Sequence, residues 1–84
     1  MQKNEPIKIT WIDIEEDASW LNNTEIAKKP DTIVDSLGYF SHEDEDFYYI
    51  SSSVMRECEN RNRTAIPKGV VKRIQKIMFY GEIQ

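Results

Sequence analysis

The sequence has only one cysteine, Cys58, and only one histidine, His42. A single cysteine forms no disulfide within the chain, and one residue of each type is too few for a zinc site built from cysteine and histidine. No hydrophobic run is long enough to span a bilayer, and the opening residues lack the apolar core of a secretory signal. These absences predict a cytoplasmic protein that has no cofactor, metal or membrane contact.

Length and charge restrict the chain further. Its 84 residues suffice for one domain, 1–84, with a small core. Acidic residues outnumber basic ones by 15 to 11, and the net charge of −4 disfavours general attraction to DNA or to anionic membranes. A hydrophobic content of 39% is sufficient for a folded core. We therefore expect one small folded domain with a polar exterior.

An alternation of apolar residues in "IKITWIDI" (7–14) predicts the first β-strand. The apolar side changes near Trp11 and Ile12, which indicates a bulge or burial on both sides. The mixed segment that follows contains capping residues and ends at Pro30, which cannot continue a helix. It predicts one short α-helix over 24–29, between the first two strands.

The middle of the chain predicts two strands joined by a hairpin. From Asp31 apolar residues occupy both faces, with Gly38 at a bend, as in a strand that is buried on both sides or strongly bent. The acidic run 42–46 is the connection, because the β-rich segment 47–55 follows at once and can fold back on the previous strand. Residues 56–63 show no apolar periodicity and predict a solvated loop.

The last strand is predicted over 70–78, after a one-turn break at 67–69. Val70, Ile74 and Ile77 recur at the spacing of a helix, so a helix is the alternative. The segment is rich in β-branched and aromatic residues, and "IPKG" is a turn that a strand often follows. These features favour the strand.

Taken in order, "KITWIDI", "DSLGYF", "DFYYIS" and "IPKGVVKRI" resemble a family of small uncharacterised phage and prophage proteins. The order of the elements is similar to that of small SH3-like or Sm-like barrels, in which a turn precedes the last strand. The fold is therefore predicted to be mainly β: a small SH3-like or Sm-like barrel, or a strongly bent antiparallel sheet, with one short α-helix. The resemblance also implies an accessory protein that occupies a host protein or sequesters a signal molecule, without catalysis.

Basic residues in the last third of the chain form the first candidate site. Guanidinium groups pair bidentately with phosphate oxygens, and aromatic rings stack on bases, so these side chains can bind a nucleotide-like ligand or RNA. The alternative is a loop kept soluble by its charges, with the aromatic ring in the core. The candidate ligand-binding residues are Arg56, Arg61, Arg63, Lys68 and Tyr48.

The acidic run forms the second candidate site, for a partner protein. Its charges can present a surface resembling a phosphate backbone to a DNA-binding host protein. The run lacks the spacing and the glycine of a calcium loop, and a solvated hairpin is the alternative. The candidate partner-binding residues are Glu43, Asp44, Glu45 and Asp46.

No paired acid and base, metal cluster or activated nucleophile is recognisable in the sequence, so we predict that the protein is not an enzyme. The predicted function is that of a phage-type accessory protein, with counter-defence as one such role, that inhibits by blocking a host protein or sequestering a nucleotide-like ligand. An Sm-like RNA-binding module and a structural or assembly protein are the alternatives. Phe79, Tyr80 and Ile83 near the C-terminus predict a homo-oligomer through pairing with an exposed sheet edge.

Overall fold

A single open antiparallel sheet forms the protein, in strand order β4-β3-β2-β1-β5. The computed structural model describes residues 1–14, 32–56 and 61–84. One 3-10 turn, η1 (Lys68–Val70), precedes the last strand. The mainly β prediction is confirmed, in the form of an open sheet, whereas the helix predicted over 24–29 lies outside the described residues. The strands are β1 (Pro6–Asp13), β2 (Thr32–Glu43), β3 (Phe47–Ser53), β4 (Arg61–Pro67) and β5 (Val71–Lys76).

The core covers one side of this sheet, which we call the inner face. Side chains alternate between the two faces of a strand, and each inner strand contributes large apolar residues to the same side. Burying one such side chain stabilises the fold by roughly 1.5–3 kcal/mol. The opposite side is the outer face. The buried core residues are Ile7, Ile9, Phe40, Ile50 and Ile66.

The first strand lies between β2 and β5 and pairs with both. Ile9, which is fully buried, lies opposite Ser36 on one side and Ile74 on the other. The register with β5 shifts between Thr10 and Trp11, where β5 has an extra residue. An irregularity therefore occurs near Trp11, as predicted, but its extra residue belongs to β5. β1 pairs with β2 without interruption from Pro6 to Asp13, so the change of apolar side at Ile12 is ordinary alternation onto the other face of β1.

The C-terminal segment is a strand, as predicted, and not a helix. Residues 68–70 form the short turn, and Val71–Lys76 then pairs with β1. The β-branched residues of this segment suit a pleated surface, and packing against β1 outweighs the partly helical spacing of its apolar side chains. No helix among the described residues is long and apolar enough to cross a lipid bilayer.

The prediction of a loop over 56–63 is wrong at its C-terminal end. Arg61 and Arg63 lie in β4, opposite Ser53 and Ser51 of β3. The ladder to β3 imposes the strand here, although β4 contributes only one residue, Ile66, to the buried core. Tertiary pairing therefore overrides a weak local pattern.

Candidate functional site

The acidic turn between β2 and β3 is organised around Asp44. One carboxylate oxygen, Oδ1, accepts hydrogen bonds from the backbone N–H groups of Asp46 at 2.9 Å and Phe47 at 2.7 Å. The other, Oδ2, accepts a bond of 2.7 Å from the Tyr49 hydroxyl. The backbone N–H of Asp44 donates to the carbonyl of Phe47 at 3.0 Å. An aspartate side chain that bonds the backbone two and three residues on favours a turn, so Asp44 stabilises the hairpin.

These bonds shift the pKa values of both side chains. The hydrogen bond from Tyr49, and then those from the Phe47 and Asp46 backbone, hold the pKa of Asp44 below its usual value of 3.8. The same contact with Asp44 raises the pKa of Tyr49 above 10.0. The pair is most stable with the carboxylate ionised and the phenol neutral.

The other members of the acidic run differ in their surroundings. Glu43 lies at the end of β2, and its Oε1 is 3.8 Å from Nζ of Lys68. Lys68 also lies over the ring of Tyr48, with Nζ 4.9 Å from the ring centroid. Glu45 and Asp46 are exposed, and their carboxylates contact no cation within the described ranges. Within the acidic run, Glu45 and Asp46 are therefore the two acids whose carboxylates are not engaged by Lys68 or by the turn.

A short row of aromatic rings crosses the outer face beside the turn. His42 stacks on Tyr49 with ring centroids 4.2 Å apart and an interplanar angle of 10°. Phe47 lies against the same tyrosine at 6.1 Å. The Ser41 hydroxyl is 3.0 Å from Nδ1 of His42. The sequence placed His42 in the acidic turn, whereas the structure places it in β2, where it pairs with Tyr49.

The structure does not assemble the predicted basic site from all of its residues. Lys68 and Tyr48 lie together next to Glu43, and Tyr48 packs against the inner core. Arg63 lies on the outer face, because it is three positions from the buried Ile66 and side chains alternate along β4. Tyr48 and Arg63 therefore lie on opposite faces of the sheet.

The remaining two arginines lie toward the other end of β4. Arg56 is exposed in a turn after β3, and the backbone of Arg61 begins β4. About five residues of extended strand, or roughly 16 Å, separate Arg63 from Lys68. The basic residues consequently form two separate groups, one at each end of β4.

An apolar area on the outer face is a feature that the sequence did not reveal. Leu37 is 65% exposed and Ile33 51% exposed, although both lie in the central strand β2. Their pattern predicted a strand that is buried on both sides or strongly bent. A shallow depression of about 180 Å³ adjoins Leu37. Its lining comprises Pro6, Leu37, Gly38, Tyr39, Ser52, Ile77 and Phe79.

Within the described part of the chain, no group of three or more histidine, cysteine, aspartate or glutamate side chains is placed to hold a metal ion. Comparison with protein-family models, with curated proteins and with solved structures found no match. The surfaces themselves are therefore the basis for a functional proposal.

Proposed function

We propose that the protein is a non-enzymatic binding module that contacts a partner protein through the outer face of its sheet. The observation that carries this proposal is the exposure of Leu37 at the centre of the sheet. A sheet with one face in water normally places polar residues at such positions. Exposed apolar area of this kind is typical of protein-binding surfaces.

The surroundings of Leu37 support the same interpretation. Ile33 and Leu37 are four residues apart in β2 and share the outer face. Between them, Asp35 accepts a hydrogen bond of 2.6 Å from the Thr10 hydroxyl, so part of its charge is already satisfied. The exposed ring of Phe79 borders the depression next to Leu37. A partner that covers this area would remove apolar surface from water.

The nature of the partner is proposed from the sequence motifs. Their resemblance to small phage proteins favours a bacterial host protein in the cytoplasm, whose own surface is blocked when the module binds. Counter-defence is a role of this kind. Glu45 and Asp46 add negative charge at one end of the sheet, which would attract a basic patch of the partner to that end.

A nucleotide-like ligand or RNA is the second candidate. Arg63 lies opposite Ser51, and Ser51 lies opposite Tyr39, so a guanidinium group and an aromatic ring share one row of the outer face. Two strand spacings, roughly 10 Å, separate them. This is a distance that a nucleotide can bridge, with its phosphate at Arg63 and its base on Tyr39.

The experiment is affinity capture from bacterial lysate, with and without nuclease, using the tagged chain and two variants. Leu37→Ser removes apolar area from the proposed surface, and Ile83→Ser makes a similar aliphatic-to-serine change at an exposed residue outside the sheet as the matched control. We expect a stoichiometric, nuclease-resistant protein with the original chain and with the control. Its recovery should fall at least about tenfold with Leu37→Ser, the loss that corresponds to 1.4 kcal/mol of binding free energy.

Two results would contradict this proposal. Equal recovery with Leu37→Ser would show that the outer apolar area is not the binding surface. Recovery of RNA or a nucleotide without a protein would favour the second candidate. In that case Arg63 and Tyr39 are the residues whose substitution should weaken binding.

A further inference from the structure

We propose that β4 takes up an extended acidic segment of the partner protein as a sixth strand of the sheet. β4 stands at one end of the strand order, next to β3 alone among the described strands. An edge of this kind offers backbone donors and acceptors to an added strand. The inference rests on the proposed function, since the added strand belongs to the protein partner.

The backbone groups that face outward can be identified from the ladder. The backbone N–H of Lys68 donates to the carbonyl of Asp46 at 2.8 Å, in register with the β3 and β4 pairing. Hydrogen-bonded and non-hydrogen-bonded pairs alternate in an antiparallel ladder. Even-numbered residues of β4 therefore bond to β3, and Arg63 and Ala65 direct their N–H and C=O groups away from it. Pro67, which has no N–H, falls at an outward position, as this assignment requires.

Charge selects the kind of strand that can bind. β4 contains Arg61 and Arg63 and no acidic residue, and β5 at the opposite edge also contains only basic charges. Like charges facing each other oppose the pairing of two such edges from separate copies. An acidic side chain directly opposite Arg63, which is exposed, would instead form a favourable cross-strand pair.

Side-chain size adds a second requirement. Ala65 lies opposite Tyr49 on the outer face, and its methyl group leaves space above this position of β4. A large apolar side chain on the added strand, opposite Ala65, can reach across the alanine to the ring of Tyr49. Positions opposite Arg63 and Ala65 are two residues apart on the added strand. The partner segment is therefore an extended one with an acidic residue and a large apolar residue at a spacing of two.

The test measures binding of a synthetic peptide to the full chain by fluorescence anisotropy. The peptide is built from threonine, with glutamate and tryptophan two positions apart, and a matched peptide replaces glutamate with lysine. Arg63→Glu and Arg73→Glu make the same charge change at the two edges. We expect Arg63→Glu to weaken binding of the glutamate peptide at least about tenfold and Arg73→Glu to leave it within about threefold.

A backbone test accompanies the charge test. Ala65→Pro removes one outward N–H and no hydrogen bond to β3, so the sheet should remain folded. The variant should nevertheless bind the glutamate peptide more weakly than the original chain does. In the original chain, hydrogen exchange of the Arg63 and Ala65 amides should slow when the peptide is added, which gives a measurement that needs no variant.

Several results would overturn the sixth strand. These are equal binding of both peptides, unchanged binding by Arg63→Glu, unchanged exchange at Arg63 and Ala65, or self-association of the chain through β4. If no peptide binds while capture from lysate still depends on Leu37, the sixth strand fails and the proposed function stands. If capture from lysate does not depend on Leu37, the proposed function itself fails.

Discussion

The hydroxyl of Tyr49 donates a hydrogen bond of 2.7 Å to the carboxylate of Asp44, which connects the body of β3 to the turn that precedes it. The same carboxylate holds two backbone N–H groups of that turn. A residue that the sequence offers as a charged contact for a partner is thus engaged in the fold itself.

This contact predicts how stability depends on pH. The pKa of Asp44 is lowered in the folded chain, so the unfolded chain binds more protons at acidic pH, and the free energy of unfolding falls as pH decreases through the pKa. The pKa of Tyr49 is raised, so stability also falls as pH rises through that pKa. Urea unfolding over a pH series measures both slopes.

Variants test whether one contact causes both slopes. Asp44→Asn should remove its slope at acidic pH and also reduce the alkaline slope, because the contact with Asp44 raises the pKa of Tyr49. Tyr49→Phe should remove the alkaline slope and weaken the acidic one, where the backbone bonds of Phe47 and Asp46 still lower the pKa of Asp44. Glu45→Gln is the control, since Glu45 is exposed in the same turn. An acidic slope that Asp44→Asn leaves unchanged would show that another carboxylate is responsible.

Gly38→Ala should destabilise the sheet by about 1–3 kcal/mol, the usual cost of overpacking. A Cβ at this position would lie 3.0 Å from the carbonyl oxygen of Ser51 and 3.2 Å from Cβ of Ile50, so the strands must move apart. Gly69→Ala is the matched control, because nothing lies within 4 Å of its added Cβ. Chemical denaturation measures both variants, and equal stabilities would contradict close packing at Gly38.

Ser51→Ala should raise the free energy of unfolding by about 1 kcal/mol. Ser51 is fully buried, and its hydroxyl has no hydrogen-bond partner among the described residues. Removing an unsatisfied polar atom removes its desolvation cost. Ser52→Ala, at an exposed neighbour, should change stability by less than about 0.5 kcal/mol. A clear loss of stability in Ser51→Ala would indicate that the hydroxyl has a partner after all.

Ile9→Ala should lower the free energy of unfolding by about 2–5 kcal/mol. Ile9 is fully buried where β1 pairs with both β2 and β5, and truncation leaves a cavity there. Ile33→Ala makes the same chemical change at a residue that is 51% exposed, and it should have a much smaller effect. Thermal unfolding of the two variants tests this difference directly, and similar losses would place the core elsewhere.

The sequence predicted those elements whose local signals agree with the tertiary structure. The alternation of apolar residues identified β1, and the acidic run predicted the hairpin between two β-rich segments. β-branched residues favoured a strand over a helix after residue 69. β4 was not recognised at its start, because Ile66 is the one buried residue among positions 62–67 and one apolar position produces no period. Pairing with β3, which no local pattern encodes, determines that strand.

The surfaces were less predictable than the fold. The four acids 43–46 are adjacent in sequence, yet Asp44 bonds to the turn and Glu43 lies beside Lys68. Apolar residues on both faces of this segment predicted a strand buried on both sides or strongly bent, whereas Leu37 is exposed. Which face of β2 is exposed depends on how the other strands pack, and the sequence of β2 alone does not determine that packing.

The pairing of β1 with β5 has a consequence for synthesis of the chain. Ile7 lies opposite Lys76, so nearly the whole chain must leave the ribosome before the sheet is complete. Until then β1 has a bare edge, and the side of Ile9 that faces Ile74 is open to water. Contacts so distant in sequence form late, so this edge of β1 stays open to unwanted pairing until β5 has been synthesised.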